Sequence, residues 1–374
     1  MLMIRRSEPE WGGIENQVLQ IAAELNRRNL LRPILLTTHL DTPFVAKFRM
    51  LGLQAHQVRI DGIKPFLSLN PAIAALIEEY DVRLMQSHMF RESMIARAIK
   101  QRHPKLKHVY RVHTYVDCSQ ISEGRKRAYH LLDRLTSSMV DLYLPISETV
   151  RCELHQRAHI PAHRTKLVKE GVPSLGEADL VEHGPQPLPR KLAMVSNLVP
   201  GKGVEVLIEA LALLAERGIR LEARIIGENS GARSREYFRK IHALAIQKSV
   251  LDQIDFCGHR DAVAEALSGF PVLALPSDSE GTPNAILEAL SLKKLVVASQ
   301  VGGVPEVIKH EINGLLHPPK NAGALADILE QVFRSPSSRW LPLREASFRT
   351  WQEEHSLDAM MNDLIAVYRE LGVI

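Results

Sequence analysis

Two carboxylates, Glu280 and Glu288, flank a turn that follows a short apolar run and could address opposite ends of one ligand. The run, Val272 to Leu275, has the length of an interior parallel strand, and Thr282 followed by Pro283 is a favourable N-cap and first helical position. The pattern therefore predicts a helix that begins at Pro283. The first turn of such a helix directs free backbone N–H groups and the positive end of its dipole beyond the strand, which is how α/β proteins bind phosphates.

Two further positions in this stretch favour ligand binding. Gly281 allows a ligand to approach the backbone closely, and Asn284 lies on the same helical face as Glu288. A simpler interpretation also accounts for each glutamate alone. Glu288 is then a solvated helix residue, and Glu280 is an acid that complements the helix dipole.

The whole stretch, in which seven residues beginning Gly-Thr-Pro-Asn separate the two glutamates, resembles the signature of retaining glycosyltransferases of family 4. These enzymes have the two-domain GT-B fold. The resemblance implies that Glu280 hydrogen-bonds the donor sugar and that Glu288 holds the ribose hydroxyls. It also implies donor contacts from the backbone of Gly281, Thr282, Pro283 and Asn284.

The length of 374 residues exceeds what one core usually supports, since domains contain about 100 to 200 residues, and it predicts two domains. The resemblance implies an α/β chain of two Rossmann-like, doubly wound parallel-sheet domains that face a central cleft. We expect an acceptor-side domain at 1–173, a linker with three prolines at 174–190 and a donor domain at 191–345. Residues 346–374 resemble the family's closing helices, which cross back to the first domain.

Alternating strand and helix patterns predict parallel sheets covered on both faces, with ligands at the carboxyl ends of the strands. In the first half, the predicted strands are Leu2 to Arg6, Ile34 to Thr37, Gln57 to Ile60, Val82 to Ser87, His108 to Val112 and Leu142 to Ile146. In the second half, they are Leu192 to Val195, Ala223 to Ile226, Ile254 to Cys257, Val272 to Leu275 and Leu295 to Ala298. The clearest predicted helices are Ile14 to Arg28, Val204 to Ala215 and Arg235 to Ala245.

In the first half, glycines and histidines at predicted strand ends could contact a ligand. Gly12 and Gly13, in Trp11-Gly-Gly-Ile-Glu15, resemble the family's Gly-Gly-x-Glu stretch, where donor and acceptor meet, although a glycine pair alone indicates only a turn. His88 and His113 end predicted strands, where a histidine is more often simply hydrogen-bonded. His113 matches the family's histidine that reaches the donor sugar, and we therefore rank it above His88.

In the second half, Gly201-Lys202-Gly203 falls between a strand and its helix, where a phosphate-binding loop belongs. It is neither a Walker loop nor a dinucleotide motif, and a solvated loop lysine is the simple alternative. The family places a phosphate-binding lysine here, which implies a catalytic role for Lys202 beside Glu280 and His113. The family's usual arginine about five residues earlier is replaced by Asn197.

Other positions follow the family pattern less closely. Gly227 and Gly258 end two predicted strands where the family seats the nucleotide base. Glu170 and Pro173 depart from the family's usual Asn-Gly-Val-Asp, so the sugar contacts inferred there stay open. No metal and no cofactor besides the nucleotide diphosphate sugar substrate is expected, because Lys202 and backbone amides would stabilise the departing diphosphate.

The resemblance implies a retaining hexosyltransferase that moves a sugar from a nucleotide diphosphate sugar to an acceptor. Cell-surface polysaccharide, lipopolysaccharide or glycolipid synthesis is the expected setting. Three alternatives stay open. They are a glycoside hydrolase with paired carboxylates, a nucleotide-sugar epimerase, and a catalytically silent GT-B subunit that binds nucleotide sugar or activates a partner.

Charge is distributed unevenly, with a net +9 over residues 1–173 and −5 over the rest. A solvated face is the simple interpretation, but the basic excess also fits an anionic membrane surface or a lipid-linked acceptor. Aromatic residues, at 5%, are too sparse to favour single-stranded nucleic acid. The residues expected to meet the membrane are Arg97, Lys100, Arg102, Lys105 and Lys107.

Cysteine usage and hydropathy favour a cytoplasmic protein that can attach to the inner face of the membrane. Cys118, Cys152 and Cys257 lack metal or redox spacing and are expected to be reduced thiols. No apolar stretch approaches the ~18 residues of a membrane span. The N-terminus turns polar too early for a signal peptide.

Overall fold

A computed structural model describes residues 1–5, 12–58, 71–113, 123–176, 185–227, 232–260 and 262–374. The chain divides into two compact units, an N-terminal unit made of Met1–Lys169 and Met360–Ile374, and a C-terminal unit made of Glu170–Ala359. None of the helices in the described ranges is both long enough and apolar enough to cross a bilayer.

A parallel sheet forms the centre of the N-terminal unit. Its described strands are β1 (Leu2–Ile4), β2 (Ile34–Thr37), β3 (Gln54–Gln57), β4 (Leu84–His88), β5 (Lys107–Val112) and β6 (Leu142–Pro145). They lie in the order β3-β2-β1-β4-β5-β6. Every residue of β1, β2 and β4 is buried, as expected for strands covered by helices on both faces.

Helices connect these strands. They are α1 (Gly13–Arg27), α2 (Pro43–Met50), α3 (Pro71–Glu79), α4 (Phe90–Arg102), α5 (Glu123–Thr136) and α6 (Glu148–Arg157). In α1, Val18, Ile21 and Leu25 recur with helical period and are buried. Ser147 caps α6, because its Oγ accepts a hydrogen bond from the backbone N–H of Val150 at 3.2 Å.

A second parallel sheet forms the centre of the C-terminal unit. Its described strands are β7 (Lys191–Val195), β8 (Glu222–Ile226), β9 (Ile254–Gly258), β10 (Val272–Leu275), β11 (Leu295–Ser299) and β12 (Leu315–His317). They lie in the order β12-β11-β10-β7-β8-β9, which is the same topology as the first sheet. The strand order reverses between β1 and β4 in one sheet and between β7 and β10 in the other. Ligands of doubly wound sheets bind at such switch points.

The helices of the C-terminal unit pack on both faces of this sheet. They are α7 (Val204–Glu216), α8 (Ala232–Gln247), α9 (Val263–Leu267), α10 (Asn284–Ser291), α11 (Val304–Val307), α12 (Ala322–Arg334) and α13 (Leu341–Thr350). A π-helical turn, Trp351–His355, leads into α14 (Leu357–Glu370), which belongs to the N-terminal unit from residue 360 onward. In the C-terminal unit, the backbone carbonyl of Glu170 accepts a hydrogen bond from Nδ1 of His355 at 2.8 Å.

The α/β class with two doubly wound parallel sheets is confirmed. The predicted strand Gln57 to Ile60 is wrong, because β3 begins three residues earlier as a half-exposed edge strand without an apolar run. The three-residue strand β12 was not predicted. Arg6, Ile60 and residues 177–184 of the predicted linker lie outside the described residues, as does Cys118.

Candidate functional site

The loop between β7 and α7 places Lys202 at the switch point of the C-terminal sheet. Nζ of Lys202 donates a hydrogen bond to Oε1 of Glu280 at 2.8 Å. The side chain of Lys202 is 30% exposed and that of Glu280 is 9% exposed, so the cation reaches solvent while the carboxylate is largely covered. Gly203 has a φ of +78°, and a Cβ there would lie 1.9 Å from the carbonyl oxygen of Pro276. Only glycine therefore lets this loop pack against the end of β10.

A glycine pair after β11 supports the turn that carries Glu280. A Cβ on Gly302 would lie 1.7 Å from the carbonyl oxygen of Glu280, and one on Gly303 would lie 2.4 Å from that of Gly281. The backbone N–H of Gly303 also donates a hydrogen bond to the Glu280 carbonyl at 3.3 Å. The glycine pair was visible in the sequence, but only the packing of the two turns reveals its role in positioning Glu280.

The helix after this turn begins one residue later than predicted. Pro283 is extended, with a φ of −74° and a ψ of 123°, and it is the N-cap of α10, whose first residue is Asn284. Thr282 is therefore not the N-cap, and α10 has no side-chain cap. The backbone N–H of Ile286 donates a hydrogen bond to the carbonyl of Pro283 at 3.0 Å. The start of α10 carries the positive end of the helix dipole, which favours an anion.

Glu288, in the second turn of α10, is not the solvated helix residue of the simpler interpretation. It is half-buried, and within the described residues no hydrogen bond or ion pair reaches its carboxylate. Burial raises the pKa of Glu288 to about 7. Such a carboxyl could form hydrogen bonds with polar groups that a ligand supplies.

Gly227 and Gly258 lie together at the carboxyl edge of the same sheet. The backbone N–H of Gly227 donates a hydrogen bond to the carbonyl of Gly258 at 3.1 Å. A Cβ on Gly227 would lie 1.8 Å from the carbonyl oxygen of Ser196, directly after β7, and Gly258 has a φ of +71°. Asn197, which follows Ser196, is exposed and uncharged, so this position does not supply a second cation beside Lys202.

In the N-terminal unit, His88 and His113 form a buried pair. Nδ1 of His88 lies 2.9 Å from Nε2 of His113, and His113 is only 5% exposed. Burial, together with the positive charge of Arg111 and the adjacent His113, holds the pKa of His88 well below its usual value. His88 is therefore neutral at physiological pH.

The predicted Gly-Gly stretch lies at the start of α1, beside a buried ion cluster. Gly12 is the N-cap of α1 and Gly13 its first residue, while Trp11 lies outside the described residues. A Cβ on Gly12 would lie 3.0 Å from Oε2 of Glu15. Arg5 donates hydrogen bonds to Glu15 at 2.8 Å and to Glu92 at 3.1 Å, and this ion cluster was not predicted.

The basic residues proposed to meet a membrane differ in exposure. Arg97 is fully buried and donates hydrogen bonds to Asp133 at 2.5 Å and to Thr136 at 2.6 Å, so its predicted membrane contact is wrong. Lys100 is largely buried and ion-paired with Asp141. The remaining three residues are exposed or half-buried, namely Arg102, Lys105 and Lys107.

The described residues thus divide the predicted site between the two units. His113, Gly12 and Gly13 belong to the N-terminal unit, and the other predicted site residues belong to the C-terminal unit. Within the described ranges, no group of three or more His, Cys, Asp or Glu side chains is placed to hold a metal ion.

Family comparisons match both halves of the chain. The family described as Glycosyl transferases group 1 matches residues 177–346, and Glycosyltransferase Family 4 matches residues 11–174. The alpha-D-kanosaminyltransferase of Streptomyces kanamyceticus is 26% identical over 241 residues, which cover 62% of this chain and 60% of that protein. The amylovoran biosynthesis glycosyltransferase AmsK of Erwinia amylovora is 29% identical over 198 residues, which cover 50% of this chain and 46% of that protein.

The chain spans less than two thirds of the length of the curated relatives that it matches first. Among solved structures, Anabaena Alr3699/HepE in complex with UDP-glucose is similar over 99% of both chains, with a TM-score of 0.82 and 17% identity. At this level of identity, the similarity shows a shared fold.

Proposed function

Because the chain belongs to the glycosyltransferases of family 4, which have the GT-B fold, we propose that it transfers a sugar from a nucleotide diphosphate sugar to an acceptor with retention of configuration. The observation that carries this proposal is the convergence of Lys202, Glu280 and the N-terminus of α10 at the switch point of the C-terminal sheet. A cation and a helix N-terminus at one strand edge suit a diphosphate.

We assign each predicted residue the role that the family resemblance implies. Lys202 and the first-turn amides of α10 bind the diphosphate. Glu280, held against Lys202, accepts a hydrogen bond from the donor sugar. Glu288 accepts hydrogen bonds from the ribose hydroxyls, which provide the polar partners that its half-buried carboxyl lacks within the described chain. The base binds beside Gly227 and Gly258, and His113 contacts the sugar.

The reaction separates charge, since the bond from C1 of the sugar to the diphosphate oxygen breaks while C1 becomes oxocarbenium-like. Preorganised Lys202 and backbone amides stabilise the departing diphosphate more than the bound donor, and this difference lowers the barrier. The acceptor hydroxyl attacks C1 on the face that the diphosphate leaves. Its proton passes to a leaving phosphate oxygen, so no enzymatic nucleophile and no metal takes part.

The relatives suggest a setting for this reaction. AmsK acts in amylovoran biosynthesis, and the structurally similar Anabaena protein binds UDP-glucose. We infer that this chain uses a uridine diphosphate sugar and acts in the synthesis of a cell-surface polysaccharide, lipopolysaccharide or glycolipid.

One helix of the N-terminal unit suits an anionic membrane, where lipid-linked acceptors are found. The exposed residues of α5 recur at helical spacing on one face, which carries two arginines and two large apolar side chains. These four residues, which we call the α5 stripe, are Arg127, Leu131, Arg134 and Leu135. Leu131 is 56% exposed and Leu135 69% exposed. A basic and apolar face of this kind favours binding in the plane of an anionic membrane surface.

Incubation with nucleotide sugars tests the proposal. UDP-glucose and other donors are screened for thermal stabilisation of the full chain, because a ligand that binds only the native state raises its apparent stability. A stabilising donor is then incubated with candidate acceptors, with and without EDTA, and the anomeric configuration of the product is read by proton NMR. We expect retention in both cases. Inversion, loss of transfer with EDTA, or no stabilisation by any donor would contradict the corresponding part of the proposal.

A catalytically silent subunit is the alternative that Asn197 favours, because a neutral residue stands where the family has an arginine. Stabilisation by a donor without transfer to any acceptor would support it.

A further inference from the structure

A line of buried polar side chains runs through the N-terminal unit from α14 to His113. The hydroxyl of Tyr368 contacts Oε1 of Gln86, and Nε2 of Gln86 lies 3.0 Å from Nε2 of His88. Nδ1 of His88 lies 2.9 Å from Nε2 of His113. Tyr368, Gln86 and His88 have no exposed surface. Water therefore does not compete for these bonds.

With the Gln86 amide oriented as in the structure, so that its oxygen faces Tyr368, the chemistry of these groups determines where each proton lies. An amide nitrogen can only donate, so Nε2 of Gln86 donates to His88, whose Nε2 must be the unprotonated acceptor. Neutral His88 then carries its proton on Nδ1 and donates it to His113. Nε2 of His113 is in turn an acceptor, which leaves the proton of neutral His113 on Nδ1.

The geometry of the histidine pair supports this direction. The two ring centroids are 5.2 Å apart and the ring planes lie 23° from parallel, so the N–H···N bond lies near both planes. The lone pair of an sp² nitrogen lies in the plane of its ring, which makes this arrangement favourable. The low pKa of His88 also keeps it neutral, as the single proton in this assignment requires.

The direction of every hydrogen bond in this line depends on the orientation of the Gln86 amide. An amide could rotate and exchange its oxygen for its nitrogen, which would reverse every bond in the line. In the structure, the hydroxyl of Tyr368 donates its proton to Oε1 of Gln86, and this bond holds the amide in the orientation that directs Nε2 toward His88.

We propose that Tyr368, Gln86 and His88 are positioning residues that hold His113 as the neutral tautomer protonated on Nδ1. His113 then presents an N–H donor, rather than an acceptor, through that nitrogen. The use of this donor for the sugar rests on the proposed function, whereas the tautomer is a property of the protein alone. Because these hydrogen bonds lie in a low-dielectric interior, each bond polarises the next. A substitution at Tyr368 should therefore change the tautomer preference of His113.

Nitrogen NMR of the full chain labelled with ¹⁵N-histidine tests the assignment, since protonated and unprotonated ring nitrogens have well-separated shifts. His113→Gln identifies the His113 signals by their disappearance. We expect one His113 tautomer in the wild type, with the proton on Nδ1. A proton on Nε2, or a mixture of both tautomers, would overturn the proposal.

Two variants test the line itself. Tyr368→Phe removes the hydroxyl that orients Gln86, so a second His113 tautomer should appear. His88→Phe removes the donor to Nε2 of His113, so the proton should move toward that nitrogen. The proposal fails if either variant leaves the His113 tautomer unchanged.

Tyr143→Phe is the matched control for the loss of a buried hydroxyl. Tyr143 is fully buried in the same unit, but its hydroxyl donates a hydrogen bond to Asp133, at 3.1 Å, and not to a group in this line. It should leave the His113 signals unchanged. An equal tautomer shift in Tyr143→Phe would mean that general loosening of the unit, and not the line, controls His113.

Measuring the affinities for UDP-glucose and UDP distinguishes a failure of this inference from a failure of the proposed function. Tyr368→Phe should lower the affinity for UDP-glucose by about three- to tenfold and leave the affinity for UDP unchanged, because one hydrogen bond to the sugar is weakened. Equal loss for both ligands would refute positioning through His113. If the wild type binds neither ligand, the proposed donor is wrong, and the tautomer measurement still decides the inference.

Discussion

Nζ of Lys202 and Oε1 of Glu280 are 2.8 Å apart, so the cation assigned to the diphosphate and the carboxylate assigned to the sugar contact each other. The pair joins the β7–α7 loop to the turn after β10, across the switch point of the sheet. A change at either residue therefore alters the surroundings of the other. Effects of the two substitutions should not be additive.

The first prediction is that Lys202→Met weakens the binding of UDP by about 10- to 100-fold, because a charge-assisted hydrogen bond to phosphate is lost. Calorimetric titration measures the affinity. Lys191→Met is the matched control, since Lys191 is also ion-paired with a glutamate, Glu222 at 2.7 Å, but on the exposed surface of the same unit. Unchanged UDP affinity in a folded Lys202→Met protein would remove Lys202 from the site.

The second prediction separates the two glutamates. Glu288→Gln should weaken UDP and UDP-glucose equally, because the ribose is common to both. Glu280→Gln should leave UDP binding nearly unchanged and lower transfer, since a hydrogen bond that strengthens in the transition state is lost. Affinity and turnover are both measured. Full transfer by Glu280→Gln would refute its assignment to the sugar.

The contact with Lys202 requires a double variant for this comparison. If Glu280→Gln changes UDP affinity only by releasing Lys202, the change should vanish in the background of Lys202→Met. A loss of UDP affinity that persists in the double variant would show that Glu280 itself contacts the nucleotide.

The sequence predicts the strands of both sheets well where they are apolar, because burial on both faces demands continuous apolar runs. It misplaces β3, which lies at the sheet edge, has three polar residues among its four, and is half-buried or exposed throughout. The turn before α10 is predicted to within one residue, but whether Pro283 or Thr282 caps the helix depends on backbone angles. The contact of Lys202 with Glu280 spans 78 positions and leaves no trace in local patterns.

Predictions of surface exposure from charged residues were the least reliable. Arg97 looks like a surface cation in the sequence, because its partner Asp133 lies far along the chain, in another helix. The α5 stripe, in contrast, follows from helical periodicity once α5 is known to expose that face.

The third prediction concerns pH. Because burial raises the pKa of Glu288 from 4.5 to about 7, ionisation of Glu288 is less favourable in the folded state than in the unfolded state. Below pH 4.5 both states are protonated and there is no cost. The cost grows between pH 4.5 and 7 and is complete above pH 7. Glu288→Gln should therefore be more stable than the wild type by about 2 to 3 kcal/mol at pH 8 and nearly equal to it at pH 4.5.

Urea unfolding of both proteins at several pH values measures this difference. Glu205→Gln is a control from the same unit, because Glu205 is ion-paired with Lys240 at 3.6 Å. A stability difference between Glu288→Gln and the wild type that does not change with pH would contradict the burial of an ionisable Glu288.

The fourth prediction concerns the pair of Arg97 and Asp133, whose side chains have no exposed surface. Arg97→Met should destabilise the N-terminal unit by about 3 to 5 kcal/mol, because it leaves a buried carboxylate without a counter-charge. Arg97→Met combined with Asp133→Leu should recover most of that loss, since neither charge then remains buried. Arg83→Met, which breaks an exposed pair with Asp81, should leave stability unchanged. Urea unfolding measures the stability of each variant. If Arg97→Met alone is as stable as the double variant, the buried carboxylate of Asp133 does not need its counter-charge.

The fifth prediction is that the α5 stripe binds anionic membranes. Leu131→Ser with Leu135→Ser should lower the affinity for vesicles containing phosphatidylserine by about tenfold or more, because apolar surface is no longer buried in the membrane. Arg127→Glu with Arg134→Glu should lower it by a similar factor and flatten its salt dependence, since each basic residue near the surface contributes about 1 kcal/mol and is screened over ~10 Å at 0.1 M salt.

Vesicle sedimentation measures binding, and zwitterionic vesicles separate the apolar contribution from the charged one. Ile246→Ser with Lys248→Glu is the matched control, because both residues are exposed at the end of α8 in the C-terminal unit. This control should bind anionic vesicles as the wild type does. If the control loses binding equally, the effect reflects overall charge and not the α5 stripe. If the wild type does not sediment with anionic vesicles at low salt, α5 is not a membrane-binding face, because its charges would be least screened under that condition.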